Sequence, residues 1–445
     1  MPPDRELAER FGVSRATVRE ATNLLEREDL VKKKVGLGGT LINSFEDRLH
    51  TNAFTRDPHQ VLDQLRAEEP IYWSEGLKAW VLTRYADVKA AGRNPHLGGG
   101  RDRARGYLRK MTPQQQAELA PLCEVYSRFL SFMNPPEHTA QRGLLSDEFT
   151  PQAVQRMRAR IDSIVNRLLD ELTPTGQADL LHEFALPMSS SVIVNMLGLP
   201  EEDRERFIAW IDNAFEFLGS DQTDFELAGR AMRTYEEMTA YLRGILEERR
   251  ARPRNDLISK LAGVQKNDSS IPDERIIAAM ITIVHGGWET TTTMVTNAMV
   301  DLLTHSDQLQ KLKRDPSLLT VALEEALRFD GPFKYITRSA MEDFDLCGRS
   351  IRKGETLMLM LCAANRDPEV FEDPHRFEIG RKRIPHVAFG VGIHFCLGAT
   401  LARIEGELAI AALLRRLPQM RLATEEPLWR PTSLLRQLEA LPVVF

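Results

Sequence analysis

The sequence of 445 residues has little cysteine, few long hydrophobic runs and no excess of positive charge. Its four cysteines are Cys123, Cys347, Cys362 and Cys396. They are too few for the disulfide framework of a secreted domain, so we expect reduced thiols, of which one or two take part in chemistry. The longest apolar runs, 276–284 and 357–364, are shorter than the ~18–20 residues that span a bilayer, and no apolar leader follows Met1. A net charge of −6 argues against nucleic-acid binding along the whole chain. We therefore predict a cytoplasmic protein with neither a membrane nor a nucleic acid as partner.

Helical periodicity dominates the sequence after residue 43. Apolar residues recur at three- and four-residue spacing in six stretches: 151–172, 201–218, 224–250, 272–303, 316–329 and 399–417. Strand-like runs are short and include 79–83, 356–361 and 441–445. No internal repeat or low-complexity linker divides residues 44–445, so we predict one domain that is mainly α with small β-sheets.

Residues 1–43 form a separate segment. Their pattern predicts a helix at 5–11, a turn at 12–13, and a second helix that begins at its N-cap Ser14. A two-stranded wing is predicted at 31–34 and 40–42. This order resembles the winged helix-turn-helix domain of the GntR regulator family, in which the second helix enters the major groove of DNA. The sequence shows no helix before Asp4 to complete the three-helix core, and residues 2–43 hold eight Lys or Arg against seven Asp or Glu. We therefore expect a partial winged-helix segment that does not bind DNA on its own.

The strongest local pattern is the cysteine loop, residues 389–398, which reads Phe-Gly-Val-Gly-Ile-His-Phe-Cys-Leu-Gly and runs into a predicted helix. Its glycines allow the backbone to turn tightly against a flat, bulky group. Cys396 lies at the helix N-terminus, where free N–H groups and the helix dipole favour the thiolate, an available metal ligand. A buried free cysteine is the plainer alternative. The spacing FGxGxHxCxG resembles the haem-ligand loop of the cytochrome P450 family at every specified position.

The resemblance implies a cytochrome P450 fold for residues 44–445, haem b (iron protoporphyrin IX) as cofactor, and Cys396 as the ligand of the iron. A haem carries two propionates at its edge, which require cations or hydrogen-bond donors. The residues that the resemblance places there are His138, Arg142, Arg338 and His394. Each of them alone is typical of an ordinary surface residue.

The middle of the predicted helix 272–303 contains Gly286-Gly287-Trp288-Glu289-Thr290. Two glycines inside a helix cost ~1 kcal/mol each relative to alanine, so they need a compensating reason. Close packing of a neighbour is one such reason. The other is implied by the resemblance: space over the cofactor, with Glu289 and Thr290 as the catalytic acid–alcohol pair that supplies protons to dioxygen. Helical geometry places Trp288 away from Thr290, so we expect it to pack outside the substrate site.

Glu325 and Arg328 are three residues apart on a predicted helix, a spacing that usually gives a modest surface ion pair. The resemblance implies instead a buried structural triad, completed by Arg376 from the later segment Pro374-His375-Arg376-Phe377. Such bidentate guanidinium–carboxylate contacts would hold the core that carries the cysteine loop.

Together these motifs predict a haem-thiolate monooxygenase that hydroxylates a small organic substrate with dioxygen. Its electrons would come from a separate ferredoxin and ferredoxin reductase, with Arg381-Lys382-Arg383 as a docking patch, and we expect a monomer. Two alternatives remain: a haem-thiolate peroxygenase that uses hydrogen peroxide, and a haem-based DNA-binding regulator. The sequence does not identify the substrate; its specificity-determining surfaces are predicted at 94–112, 209–224, 333–336 and the long-helix face.

Overall fold

The structure, a computed structural model, describes residues 56–99, 111–219 and 224–445, and isolated positions and short pieces outside these ranges. In the N-terminal segment, strands β1 (Val31–Lys34) and β2 (Gly38–Leu41) pair antiparallel, with Val31 opposite Leu41, which agrees with the predicted wing. Ser14 Oγ accepts a hydrogen bond from the backbone N–H of Thr17 (3.1 Å), as an N-cap does. The predicted helix 5–11 and turn 12–13 lie outside the described residues.

Most described residues after 56 are helical. In chain order the α-helices are α1 (His59–Glu68), α2 (Tyr85–Ala91), α3 (Pro113–Glu118), α4 (Ala120–Ser127), α5 (Glu137–Ser146), α6 (Pro151–Leu172), α7 (Leu186–Leu197), α8 (Arg204–Gly219), α9 (Phe225–Ala251), α10 (Leu257–Asn267), α11 (Asp273–Gly287), α12 (Glu289–Thr304), α13 (Ser306–Arg314), α14 (Leu319–Asp330), α15 (Leu361–Ala364) and α16 (Ala399–Arg416). A π-helical stretch, Leu180–Ala185, precedes α7.

The strands are short and peripheral. The remaining ones are β3 (Ile71–Ser74), β4 (Ala79–Leu82), β5 (Leu97–Gly98), β6 (Gln177–Asp179), β7 (Ile336–Ala340), β8 (Phe344–Leu346), β9 (Arg349–Ile351), β10 (Thr356–Leu359), β11 (Arg421–Leu422) and β12 (Pro442–Val444). The largest sheet has the order β3-β4-β10-β7-β5, in which only the β4–β10 pair is parallel. The others are the sheet β11-β12-β6 and the hairpin β8-β9. The prediction of a mainly α fold with small sheets is confirmed.

Capping side chains mark the starts of several helices. Thr150 accepts a hydrogen bond from the N–H of Ala153 (3.3 Å) at the start of α6, and Asp224 accepts one from Leu227 (3.0 Å) at the start of α9.

The predicted helix 272–303 is in fact two helices, α11 and α12, which are separated at Trp288. Helix α12 lies in the interior, where every residue from 291 to 302 is buried, and it packs on α14 and α16.

One described stretch, Leu180–Leu197, is long and apolar enough to cross a membrane, with a mean hydropathy of 1.2. Two thirds of it (67%) is buried inside the protein, a property that it shares with the core helices of soluble proteins. The stretch is therefore weak evidence for a membrane span.

Candidate active site

A deep cavity of about 810 Å³ is lined both by the cysteine loop and by the junction of α11 with α12. The loop contributes Phe389, Gly390, His394, Phe395 and Cys396 to the wall, and the junction contributes Gly286, Gly287, Thr290 and Thr291. Cavities of this size are typical of small-molecule and cofactor sites. The fold thus brings the predicted metal ligand and the predicted catalytic threonine to one space.

The cysteine loop is held by its own backbone. The N–H of Cys396 donates to the carbonyl of Phe389 (2.9 Å), and the N–H of Phe395 donates to that of Gly392 (3.0 Å). Gly392 has φ +74°, and a Cβ on it would lie 2.2 Å from the carbonyl oxygen of Gly92. Any side chain at Gly392 would therefore be both strained and blocked, so the close approach of the loop to residue 92 requires glycine.

Cys396 is exposed to the space of the cavity, although protein atoms surround its thiol closely. Burial raises the pKa of its thiol, and the backbone N–H of Gly398 together with Arg142 and Arg403 lowers it by less. The backbone N–H at the helix start thus acts in the predicted direction, toward the thiolate, while desolvation has the larger effect on the pKa of the free thiol.

The four residues predicted at the haem edge lie close together. His138 and Arg142 are one turn apart on α5, Arg338 is on β7, and His394 belongs to the cysteine loop. The rings of His138 and His394 meet edge to face with their centroids 4.5 Å apart, while Arg142, Arg338 and His394 line the cavity. Burial, and then the charges of Arg142 and Arg338, lower the pKa of His138. The cluster is therefore an electropositive patch beside Cys396.

The helix junction gives its two glycines different roles. A Cβ on Gly287 would lie 2.3 Å from Cδ1 of Ile193, so close packing requires this glycine. A Cβ on Gly286 would meet nothing within 4 Å, so this glycine leaves open space in the cavity. Thr290 Oγ1 donates to the carbonyl of Gly286 (2.9 Å), across the break in the helix. Trp288 is fully buried against Phe207 and is absent from the described cavity wall, as the sequence predicted.

Glu289 lies beside Thr290 but not on the described wall of the cavity. Its carboxylate is buried and accepts a hydrogen bond from the side-chain amide of Gln437. Burial raises the pKa of Glu289 to about 7, with a further increase from Asp212 and a decrease from Arg430. A carboxyl with this pKa exchanges protons readily near neutral pH.

The structural triad forms, but its third member differs from the prediction. Glu325 and Arg328, both fully buried, make two hydrogen bonds (2.7 and 2.8 Å). Arg381 Nε completes the triad at 2.9 Å from Glu325 Oε1, and its side chain is 12% exposed. The side chain of Arg376 is 62% exposed and pairs with Glu378 (3.3 Å), so the prediction of Arg376 is wrong. Only the backbone carbonyl of Arg376 takes part, because it accepts hydrogen bonds from Arg328 and Arg381.

The triad is connected to the cysteine loop through Asn365. The carbonyl of Asn365 accepts a hydrogen bond from Arg328 Nη1 (3.0 Å), and its side-chain oxygen accepts one from the N–H of Val387 (2.7 Å). Val387 lies two residues before the loop. The ion pairs thereby fix the position of the segment from which the metal ligand is presented.

These residues fit a haem. A thiol faces a cavity that also contains the open space at Gly286, and an electropositive patch next to it suits two propionates. His138 Nε2 is buried and has no hydrogen-bond partner among the residues that the structure describes. A buried donor or acceptor without a partner is costly, and a bound carboxylate would satisfy this one.

Three further polar residues near the site were not identified from the sequence. Gln437, near the C-terminus, reaches Glu289 across a long sequence separation, and no local pattern indicates this contact. Glu405 on α16 lines the cavity, and burial raises its pKa well above the usual value. His285 also lines the cavity, and its position next to Gly286-Gly287 was a signal that could have revealed it.

Comparison with known proteins agrees with this site. The sequence model of the cytochrome P450 family matches residues 123–428, and that of the bacterial regulatory proteins of the gntR family matches residues 1–41. The chain is 35% identical over 397 residues to a biotin biosynthesis cytochrome P450 of Bacillus subtilis (strain 168), covering 89% of this chain and 98% of the relative. It is 36% identical over 399 residues to the cytochrome P450 monooxygenase PikC of Streptomyces venezuelae, covering 88% and 91%.

Among solved structures, P450BioI in complex with an acyl carrier protein ligated to hexadec-9Z-enoic acid is similar, with a TM-score of 0.81 and 34% identity over 88% of this chain and 99% of that chain. The chain therefore belongs to the cytochrome P450 family. It is a cytochrome P450 monooxygenase with the fold of that family, and haem b is its cofactor. The match at residues 1–41 agrees with the GntR-like character of the first segment.

Proposed function

We propose that the protein hydroxylates a small, mostly apolar organic molecule with dioxygen and with electrons from a separate ferredoxin and its reductase. The observation that carries this proposal is that Cys396 and Thr290 line one cavity while the buried carboxyl of Glu289 lies next to Thr290. A thiolate-ligated haem supplies the oxidising chemistry when bound. The chain supplies ligation, substrate position and protons.

Each site residue has a stated part in this function. Cys396 ligates the iron, and His138, Arg142, Arg338 and His394 bind the propionates. Thr290 places its hydroxyl on the cavity wall, where the hydroxyl proton is held by the carbonyl of Gly286 (2.9 Å), so the hydroxyl would have to turn toward the cavity to supply that proton. Glu289 reprotonates the site, because a carboxyl with a pKa of about 7 is present in both forms at neutral pH. Gln437 orients that carboxyl by its amide contact.

The substrate class is supported by the cavity wall. The predicted specificity surfaces contribute apolar side chains to it, namely Phe215, Leu218, Phe333, Tyr335 and Ile336, and the junction contributes Ile283 and Met294. Residues 94–112 are described only in part. Of the relatives named above, one is named for biotin biosynthesis and the other only as a monooxygenase, so we infer the substrate class from the side chains of this chain's own cavity.

The ferredoxin proposal rests on exposed basic residues. Lys382 and Arg383 are exposed, whereas Arg381 is committed to Glu325, so the docking patch has two members rather than the predicted three. Peroxide-driven chemistry has less support because Glu289 and Thr290 are both in place. We further propose a monomer in the cytoplasm; the small number of cysteines and the burial of most of Leu180–Leu197 support the location.

The proposed domain boundary lies between residues 43 and 44. Arg48 Nη1 donates to Gln64 Oε1 of α1 (2.6 Å), and Phe54 packs on the cluster of Leu62 and Leu65 and lines the cavity. These contacts support a domain boundary that lies before residue 48. Residues 1–43 form the partial winged-helix segment, for which we propose no independent DNA binding, in contrast to a haem-based regulator.

Substitution of the metal ligand tests the proposed function. The reduced wild-type protein with carbon monoxide should give the red-shifted Soret band of thiolate-ligated haem, and Cys396→Ala should lose it. Cys347→Ala, at an exposed cysteine, is the control and should keep the band. An unchanged spectrum in Cys396→Ala would refute the assignment. Turnover with ferredoxin and its reductase, compared with turnover on hydrogen peroxide, then separates monooxygenase from peroxygenase.

A further inference from the structure

His285 is a polar side chain in an otherwise aromatic part of the cavity wall. It precedes Gly286 on α11 and lines the cavity. Its ring stacks on Phe215, with centroids 4.4 Å apart and planes 20° apart, and lies 5.3 Å from the ring of Phe129. Tyr235 stacks more distantly, at 6.4 Å. These aromatic contacts fix the orientation of the imidazole.

The hydrogen-bonding capacity of this ring is not used by the protein. Nε2 is enclosed and has no hydrogen-bond partner among the described residues, and none of them bonds to Nδ1. A buried polar group is normally satisfied, and leaving one unsatisfied costs free energy. Because the ring lines the cavity while Nε2 is enclosed, the edge that carries Nδ1 is the one that a bound molecule can reach.

The imidazole is neutral under physiological conditions. Burial lowers the pKa of His285 to about 4, and desolvation is the cause. A neutral imidazole has one donor and one acceptor nitrogen, so it suits a hydroxyl or a carbonyl. It offers no positive charge to a carboxylate, whose burial next to it would be costly.

A second cavity-lining polar residue on α11 provides the contrast. Thr282 lines the cavity, but its hydroxyl donates to the carbonyl of Ala278 in its own helix (2.8 Å). The hydroxyl proton of Thr282 is therefore already used within its helix, whereas the ring nitrogens of His285 have no hydrogen-bond partner among the described residues.

We propose that His285 binds an uncharged hydroxyl or carbonyl oxygen of the substrate and so selects which end of an apolar molecule points away from the haem. This inference rests on the proposed function and names its substrate class: an apolar molecule that already carries one uncharged oxygen group. The reaction that supplies this substrate must therefore leave one uncharged hydroxyl or carbonyl group on its skeleton. His285 is a specificity-determining residue in this scheme and takes no part in the proton supply.

The test compares ligands that differ by a single oxygen. Substrate-induced shifts of the Soret band are titrated with decane and decanol, decalin and decalol, androstane and androstanol, and with decanoic acid as the charged probe. We expect the wild type to bind at least one alcohol roughly tenfold more tightly than its hydrocarbon. His285→Leu should bring that ratio close to one, His285→Asn should retain part of it, and Thr282→Val should leave it unchanged.

Several results would contradict the proposed role of His285, and each has a different meaning. Equal weakening of hydrocarbon and alcohol by His285→Leu would show a packing role alone, and tightest binding of decanoic acid would exclude an uncharged partner. An alcohol preference that survives His285→Leu, or no response to any alcohol in a protein with a normal carbon monoxide band, would also overturn the inference. A protein without that band would instead show that the proposed function is wrong.

Discussion

Two buried regions differ in how their polar groups are satisfied. One is the ion-pair cluster of Glu325, Arg328 and Arg381, which supports the cysteine loop, and the other is the helix junction at residues 285–290. In the cluster, Glu325 contacts Arg328 and Arg381 at hydrogen-bond distance, and the remaining donors of these arginines meet backbone carbonyls. At the junction, His285 Nε2 has no hydrogen-bond partner among the described residues. The carboxylate of Glu289 accepts one hydrogen bond, from the amide of Gln437, and lies near a second carboxyl, that of Asp212.

The difference reflects two uses of burial. Where every charge is paired, burial gives a fixed geometry, as a loop that presents a metal ligand requires. Where pairing is incomplete, burial shifts the pKa instead, toward about 7 for Glu289 and about 4 for His285. In the proposed function, the first region fixes the position of the cysteine loop, and the second supplies protons and recognises the ligand. Substitutions in the first should cost stability, while those in the second should change pH dependence and selectivity.

The largest effect is expected in the paired region. Arg381→Ala removes one of the two guanidinium groups that contact the buried Glu325, together with contacts to the carbonyls of Glu372 and Asp373. Breaking a buried pair in this way costs about 3–5 kcal/mol, so we expect a lower free energy of unfolding in urea and loss of haem during purification. Arg376→Ala is the matched control and should cost about 1 kcal/mol or less, because its side chain is exposed. Equal losses in the two variants would contradict the assignment of Arg381.

Arg376 and Arg381 show which part of the triad could be predicted from the sequence and which could not. The pattern of Glu325 and Arg328 on one helix was sufficient to predict their contact, because helical spacing fixes it. Arg376 and Arg381 both lie in an irregular segment, where spacing does not determine which side chain turns inward. Arg381 is the one that contacts Glu325, because its remaining donors also meet backbone carbonyls.

The candidate site also contains residues that could be predicted from the sequence and residues that could not. The loop at 389–398, the pair Glu289-Thr290 and the residues of the electropositive patch were all predictable, because each motif is local or resembles a known one. Gln437 was not, since its contact with Glu289 depends on how the C-terminal segment folds back. The helix face predicted for an unbroken helix 272–303 consisted of residues 283, 286, 287, 290, 293, 294 and 297 and left out His285. The real cavity wall spans more of the helix surface around the break at Trp288.

A pH-dependent stability effect is expected at the helix junction. The pKa of Glu289 rises from 4.5 to about 7 on folding, so between these values the folded protein binds more protons than the unfolded chain. The carboxyl therefore destabilises the fold increasingly as pH rises, up to about 3 kcal/mol above pH 7. Glu289→Gln removes this effect and keeps an oxygen that accepts from Gln437. The variant should unfold like the wild type at pH 4.5 and be more stable than it at pH 8.

Urea unfolding at both pH values measures this difference. Glu247→Gln, at an exposed position on α9, is the control and should change stability equally little at both. A stability gain in Glu289→Gln that is independent of pH would mean that the raised pKa is not the cause.

A smaller, salt-dependent effect is expected on the surface before the cysteine loop. The segment that follows Lys382 and Arg383 is tied to α16, because His386 and Arg403 both contact Glu324 (3.0 and 2.6 Å). The two exposed cations should therefore lie on the side of the molecule from which α16 and the metal ligand start. Lys382→Glu with Arg383→Glu should slow reduction by ferredoxin several-fold at low salt, and the difference should shrink as the Debye length falls to ~8 Å at physiological ionic strength.

Reduction by dithionite serves as the control, since a small reductant does not need the docking patch. An equal slowing with both reductants would indicate altered folding rather than altered docking. No change with either would exclude Lys382 and Arg383 from the ferredoxin surface.

The smallest effect on catalysis is expected from removal of the first segment. The residues proposed for haem binding and proton supply all lie after residue 130, and the contacts of Arg48 and Phe54 with the monooxygenase domain lie after residue 43. Deletion of residues 1–42 should therefore leave the haem content, the carbon monoxide band and turnover nearly intact. Deletion of residues 1–55 is the matched comparison and should impair ligand binding, because it removes Phe54 from the cavity wall. Equal effects of the two deletions would place the domain boundary elsewhere, and nanomolar binding of the full-length protein to a palindromic DNA site, lost when residues 1–42 are removed, would show that the segment reads DNA.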